Sequence, residues 1–230
     1  LREAVRWGSE VYQALRQILL EKGLSVGVGD EGGFAPAVAS NRQPLELIVQ
    51  AIEKAGYQPG DDIAICMDPA SSEFYANGKY RLRSENTELD AAQMTAYYQR
   101  LVQDFPIVLI EDGLAEDDWA GWRILSDALG DQVELVGDDL FVTNVKYIQR
   151  GIDERLANAA LIKLNQIGTL SETFAAVQLC QANGWGAFIS HRSGETVDSF
   201  IADMTVAMRA GHLKTGAPCR GERIEKYNQL

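Results

Sequence analysis

Long apolar runs are missing from this sequence. The longest, Phe105 to Ile110, has the length of a buried strand, and nothing nears the roughly 18 residues a membrane-crossing helix needs. Cysteine is scarce: Cys66, Cys180 and Cys219 are odd in number, far apart and without a C-x-x-C pair. That pattern favours reduced thiols in a cytosol over a disulfide frame or a zinc site. Basic residues are outnumbered, 21 Lys and Arg against 33 Asp and Glu, leaving a formal charge of −12. Such a balance argues against a nucleic-acid surface, because phosphate binding is dominated by Lys and Arg. The basic–apolar–small order of a signal peptide is absent, as are linkers and low-complexity segments. The chain opens at Leu1, already in a helical pattern and without Met, so a fragment or excised domain is expected.

What is present reads as one globular α/β domain over residues 1–230, with 46% hydrophobic and 23% charged residues. Apolar residues recur at helical spacing from Leu1 to Leu20, and Gly23 ends that helix. A second helix is predicted from Pro44 to Gly56. Short apolar runs then alternate with helical segments. Ile63–Met67 runs into Asp68, Ile107–Ile110 into Glu111, Val133–Val136 towards Asp138, and Ala160–Ile162 into Lys163. Ala187–Ile189 runs towards His191, and a weak strand at His212–Leu213 ends at Lys214. Thr87 is read as the start of the helix spanning Asp90 to Gln103, Gly130 and Gly151 as the ends of the next two, and Thr169 with Glu172 as a capping box closed off by Gly184. Six strand-then-helix units imply a parallel sheet. Polar residues finish every strand rather than flanking one switch point, which favours a barrel over an open doubly wound sheet.

In a parallel barrel the chemistry sits at the C-terminal strand ends. Read there, the sequence offers Asp68, Glu111, Asp138, Lys163, His191 and Lys214. Three converging carboxylates repel one another unless a cation neutralises them, and an oxygen-only set suits a hard ion such as Mg²⁺. Each acid alone could equally be a helix cap; three in succession, followed by Lys, His and Lys, make a site the better reading. Asp112 and Asp139 fit the capping reading better and are left out of the metal shell. Lys163 beside a cation is suited to proton abstraction, or else to a structural ion pair. His191-Arg-Ser-Gly194 brings imidazole, guanidinium and hydroxyl into one turn, a combination fit for a phosphate. Gly29-Asp-Glu-Gly-Gly33 lacks the closing Gly-Lys-Ser/Thr of a P-loop and the strand–glycine–helix order of a dinucleotide fingerprint; its glycines would let backbone approach a ligand while presenting Glu31, or simply form a turn.

Several stretches resemble enolases, the bacterial ones in particular: Val28-Gly-Asp-Glu-Gly-Gly-Phe-Ala-Pro36, Asp68 with Ala70-Ser-Ser-Glu-Phe74, and Ile110-Glu-Asp-Gly-Leu-Ala-Glu-Asp-Asp-Trp119. So do Val136-Gly-Asp-Asp139, Lys163-Leu-Asn-Gln-Ile-Gly-Thr-Leu170, Ser190-His-Arg-Ser-Gly-Glu-Thr196 and Lys214-Thr-Gly-Ala-Pro218. The resemblance implies an irregular TIM barrel, here without its first two strands and without the smaller α+β domain that precedes them. It implies the Mg²⁺-dependent interconversion of 2-phosphoglycerate and phosphoenolpyruvate, with two Mg²⁺ per active site in the complete enzyme. Asp68, Glu111 and Asp138 would hold the first ion, Lys163 would be the C2 base and Glu31 would act at the C3 hydroxyl. Arg192 and Ser193 would bind the phosphate and Lys214 would lie near the carboxylate, with His191, Glu111, Asp138 and Lys163 also in the substrate site. A cytosolic homodimer or higher homo-oligomer is the family expectation, with no nucleic-acid or membrane partner. These 230 residues alone are expected to be inactive. Another member of the superfamily, or a non-catalytic binder on the same barrel, are the competing readings.

Overall fold

Helix α1 (Arg2–Glu21) has its apolar side chains on one stripe, and Ile18 and Leu19 meet Leu47 and Ala51 of α2 (Arg42–Lys54) in a small core. Each such large side chain taken out of water contributes about 1.5–3 kcal/mol. The helix stops where Gly23 takes a φ of 69°: its N–H bonds to the Leu20 carbonyl and that of Leu24 to Leu19, a Schellman ending. Pro44 lies within the first turn of α2, as expected, where a missing N–H is harmless.

The computed structural model describes residues 1–230 as two compact units. The first comprises Leu1–Ala64, Ser190–Ala207 and Leu213–Leu230; the second comprises Ile65–Ile189 and Met208–His212. After α2 the chain runs through β1 (Ile65–Met67), a 3₁₀ turn (Ser71–Phe74), β2 (Tyr75–Ala76), β3 (Lys79–Leu82) and β4 (Thr87–Leu89). It continues with α3 (Ala91–Asp104), β5 (Ile107–Glu111), α4 (Trp119–Leu129), β6 (Glu134–Gly137), α5 (Val145–Glu154) and β7 (Ala159–Ile162). Then come α6 (Leu164–Ile167), α7 (Leu170–Ala182), β8 (Gly186–Ser190), α8 (Phe200–Ala207), β9 (Gly211–Lys214) and α9 (Gly221–Gln229).

All six expected strands form, in one sheet of order β1-β5-β6-β7-β8-β9, and the pairings from β1 to β8 are parallel. Leu109, Val136, Ala159, Leu161 and Phe188 of β5 to β8 make one buried cluster. Every residue of β7 is buried, which is why it reads as an unbroken apolar run rather than an alternation.

Two local expectations give way. Helix α3 is capped by Asp90, whose carboxylate accepts from the Gln93 N–H at 2.9 Å while the Gln93 side chain accepts from the Asp90 N–H at 3.0 Å. Thr87 sits in β4 instead; the acid-to-Gln spacing of three is what a capping box requires. The segment Ser71–Lys79 begins with the 3₁₀ turn and enters an antiparallel sheet of β2, β3 and β4. Asn77 and Gly78 both have positive φ, as a two-residue hairpin turn demands, and buried Tyr80 donates to Asp118 at 2.7 Å.

Gly151 is the second. Helix α5 runs past it to Glu154, and Arg155 ends the helix at a φ of 54°. A Cβ on Gly151 would stand 2.5 Å from Phe141 Cε1 and 3.2 Å from Trp185, so the glycine makes room rather than a stop. Gly137 does the same on the other edge of that ring, where a Cβ would lie 2.5 Å from Phe141 Cδ2. Phe141 is fully buried and cannot retreat. Gly151→Ala is therefore expected to lose more to overpacking (about 1–3 kcal/mol) than the about 1 kcal/mol it gains in helix propensity. A urea midpoint that stays the same or rises would contradict this packing.

Candidate functional site

In the second unit, Asp68, Glu111, Asp138 and Lys163 follow or end β1, β5, β6 and β7, four successive strands of the sheet. The register sets Met67 beside Ile110 and Glu111 beside Val136, so these polar residues line up along one edge. Lys163 Nζ is bonded to Asp138 Oδ2, and Gln166 Nε2 donates to the other oxygen at 3.2 Å. Thr143 completes the network: its hydroxyl donates to Gln166 Oε1 at 2.7 Å and accepts from the Lys163 backbone N–H at 2.9 Å. Lys163 and Asp138 are thus held in place by two residues to which the sequence reading gave no role. A Thr and a Gln near strand ends carry no signal of their own in a single sequence.

Asp112, Asp138 and Asp139 each offer an oxygen within 4.8 Å of the others, and Asp138 is the member they share with the expected set of Asp68, Glu111 and Asp138. Asp112 has a separate job. Its oxygens accept from the backbone N–H groups of Asp138 at 2.9 Å and Asp139 at 3.0 Å, so it braces the turn that carries Asp138. Burial pushes the Asp112 carboxyl up to about 7 against the pull of those two bonds, and the charges of Asp138 and Asp139 add to the rise. Asp139 is raised too, first by burial and then by Asp138 and Glu116. Acids that resist ionising together, with only oxygen donors in the cluster, suit a hard cation. Asp112, with both oxygens spent on backbone, is the least fit of the three to be a ligand. Non-glycine residues with left-handed backbone also gather at these strand ends: Ala70 after β1, Asp112 after β5, Val142 and Thr143 after β6.

In the first unit, three loops meet. The 29–33 loop closes on itself through Gly29 N–H to Gly33 carbonyl, 2.9 Å. The 190–194 loop is tied to the 214–219 loop by the His191 N–H on the Lys214 carbonyl, 3.0 Å, and the latter to the first by Ala217 N–H on the Glu31 carbonyl, 2.9 Å. Two glycines permit the approach. A Cβ on Gly32, at a φ of 83°, would lie 2.8 Å from the Cys219 carbonyl, and one on Gly216, at 84°, would lie 2.7 Å from that of Glu31.

Glu31, His191 and Ser193 come together there. Glu31 Oε2 is 3.2 Å from His191 Nε2, and Ser193 Oγ reaches Glu31 Oε1 at 3.5 Å. Hydrogen bonding from His191 holds the Glu31 carboxyl down to about 2; burial opposes this, and the charges of Lys214 and Arg223 assist. Arg192 and Lys214 are partly buried in the same loops. Because its folded value is depressed, Glu31 contributes stability that is present above its ordinary value of 4.5 and lost as pH falls towards about 2. Glu31→Gln is expected to flatten the loss of stability over that range, read from urea midpoints against pH. Parallel curves for the two proteins would contradict the pairing.

The residue that sequence reading missed here is Arg223 of α9, fully buried against these loops. An arginine on a polar helix gives no hint of burial by itself.

Over residues 1–230 the chain matches the family described as "Enolase, C-terminal TIM barrel domain". The chain belongs to the enolase family. It is 64% identical over 229 residues to Enolase 2 of Pseudomonas syringae pv. syringae, which covers 100% of this chain and 54% of that protein. It is 63% identical over 228 residues to Enolase 1 of Methanospirillum hungatei, with 99% and 54% covered. Enolase 1 of Chlorobaculum tepidum is 55% identical over 230 residues, again 54% of its length. The chain therefore spans about half the length of these enolases. Its parallel sheet is that of the family's TIM barrel, and no helix is long and apolar enough to cross a membrane.

Proposed function

We propose that this chain is part of the catalytic barrel of a working enolase, which dehydrates 2-phosphoglycerate to phosphoenolpyruvate and runs the reverse reaction. The observation that carries the reading is Lys163 seated on Asp138 at adjoining strand ends, in a chain 64% identical to an enolase. Asp68, Glu111 and Asp138 would hold Mg²⁺, which supplies positive charge for the substrate carboxylate. Lys163 takes the proton from C2 at Nζ, with Asp138 and the Thr143–Gln166 pair fixing where that nitrogen stands. Glu31, beside His191, acts at the C3 oxygen: its carboxylate takes the proton of the water that adds to C3 in the reverse direction, and its acid form returns that proton to the hydroxyl as it leaves. Arg192 and Ser193 bind the phosphate, Lys214 the carboxylate end, and His191 lies in the substrate site. The complete enzyme works in the cytosol as a homo-oligomer with two Mg²⁺ per site.

Arg192 and Ser193 beside the Glu31 loop fit a phosphorylated substrate, which distinguishes this reading from another acid-dehydrating relative. The test is an assay of the full-length protein with Mg²⁺ and 2-phosphoglycerate, following the ultraviolet absorbance of the enol product. No absorbance above the rate without protein would reject the activity, and turnover of a non-phosphorylated 2-hydroxy acid in its place would reassign the substrate.

A further inference from the structure

Arg223 is buried on every side, yet it touches no carboxylate closely; Glu222 comes only to 3.9 Å of its Nε. Its fork is spent on the three-loop junction. Nη2 donates to the carbonyls of Asp30 and Ser193, both at 2.8 Å, and Nη1 to that of Arg192 at 2.7 Å. Nη1 also faces His191 Nδ1 at 2.6 Å. One rigid group thereby spans the peptide before Glu31 and three consecutive residues of the 190–194 loop. A lysine, a single point donor, could not reach four acceptors in one plane.

The contact with His191 has a chemical sense that needs no observed hydrogen. A guanidinium only donates, so Nδ1 must accept, and the proton of the neutral ring resides on Nε2. Nε2 is the nitrogen 3.2 Å from Glu31 Oε2. Gly216 is shaped to this arrangement: a Cβ there would be 2.9 Å from Arg223 Cδ and 3.1 Å from His191 Cε1. Three residues on, Lys226 of the same helix, also fully buried, donates to the Thr196 carbonyl and fixes the far end of the loop.

We propose that Arg223 is the positioning residue for the C3-hydroxyl half of the reaction: its guanidinium forces His191 into the Nε2–H tautomer and holds Asp30 and Ser193, so that the Glu31 carboxyl stands beside that nitrogen, set to exchange a proton with the C3 oxygen. This rests on the enolase reading above only for the step it serves. The tautomer itself is independent of that reading.

Two measurements on the full-length protein test it. In ¹⁵N-histidine protein, the His191 ring signals, assigned by their loss in His191→Gln, are expected to show a bare Nδ1 and a protonated Nε2. Arg223→Lys is expected to lower kcat for dehydration by about 10–100-fold, within the range of a lost positioning contact, with KM little changed and solvent exchange at C2 retained. A native ring protonated at Nδ1 would overturn the proposal whatever the variants do. So would an Arg223→Lys enzyme with unchanged kcat, or one whose C2 exchange falls as far as its dehydration. If the native protein fails to dehydrate 2-phosphoglycerate, the enolase reading falls, and the ring signals still decide whether Arg223 sets the tautomer.

Discussion

Lys163→Ala in the full-length protein is expected to abolish exchange of the C2 proton with solvent and to cut turnover by about 10²–10⁴-fold, the usual contribution of a positioned proton-transfer group. The fold should tolerate the change. The backbone N–H of residue 163 keeps its bond to Thr143, and what is lost is the Nζ contact with Asp138, which retains Gln166. On the proposed roles, Glu31→Gln should give the opposite defect, exchange at C2 with no loss of hydroxyl. Deuterium entering C2 in the alanine variant would remove Lys163 from the role of base.

The second large effect is on metal. Asp138→Asn preserves shape while deleting the charge, and Gln166 can turn its amide to meet the new side chain. Mg²⁺ affinity measured by titration calorimetry is expected to fall by at least about 10–100-fold, the size seen when even outer partners of a ligand are lost. The melting temperature should shift by only a few degrees. Comparing two further variants settles which acids surround the ion. If Asp68, Glu111 and Asp138 hold it, Asp68→Asn weakens binding far more than Asp139→Asn does. The reverse order would install the cluster of Asp112, Asp138 and Asp139 instead. Unaltered affinity in Asp138→Asn would reject both.

The strands and the residues closing them could be read directly from the sequence, since a parallel strand buried on both faces is an apolar run that stops at the first polar residue, as at Ile110-Glu111 and Ile162-Lys163. The antiparallel insertion was harder. Its strands are two to four residues long, and the Asn77-Gly78 turn that announces it is a signal shared with many loops. Gly151 misleads for a different reason. A glycine that ends a helix and one that admits a neighbouring ring are identical in sequence, and only the position of Phe141 tells them apart. Within the site, side chains that meet substrate or metal announce themselves by charge. Those that aim them do not. Thr143, Gln166, Asp112 and Arg223 act through bonds to backbone or to other side chains, and which atoms they reach is settled only once the loops have folded.

The ring of Phe141, wedged where both Gly137 and Gly151 would carry a methyl group, also constrains how this barrel can drift over generations. Neither glycine is free to become alanine while the phenyl stays, and trimming the phenyl alone opens a hole in the interior. The three positions amount to a single inherited character. In any lineage where residue 137 or 151 has grown, residue 141 should have shrunk in step, and the two changes introduced together should restore what each alone takes away.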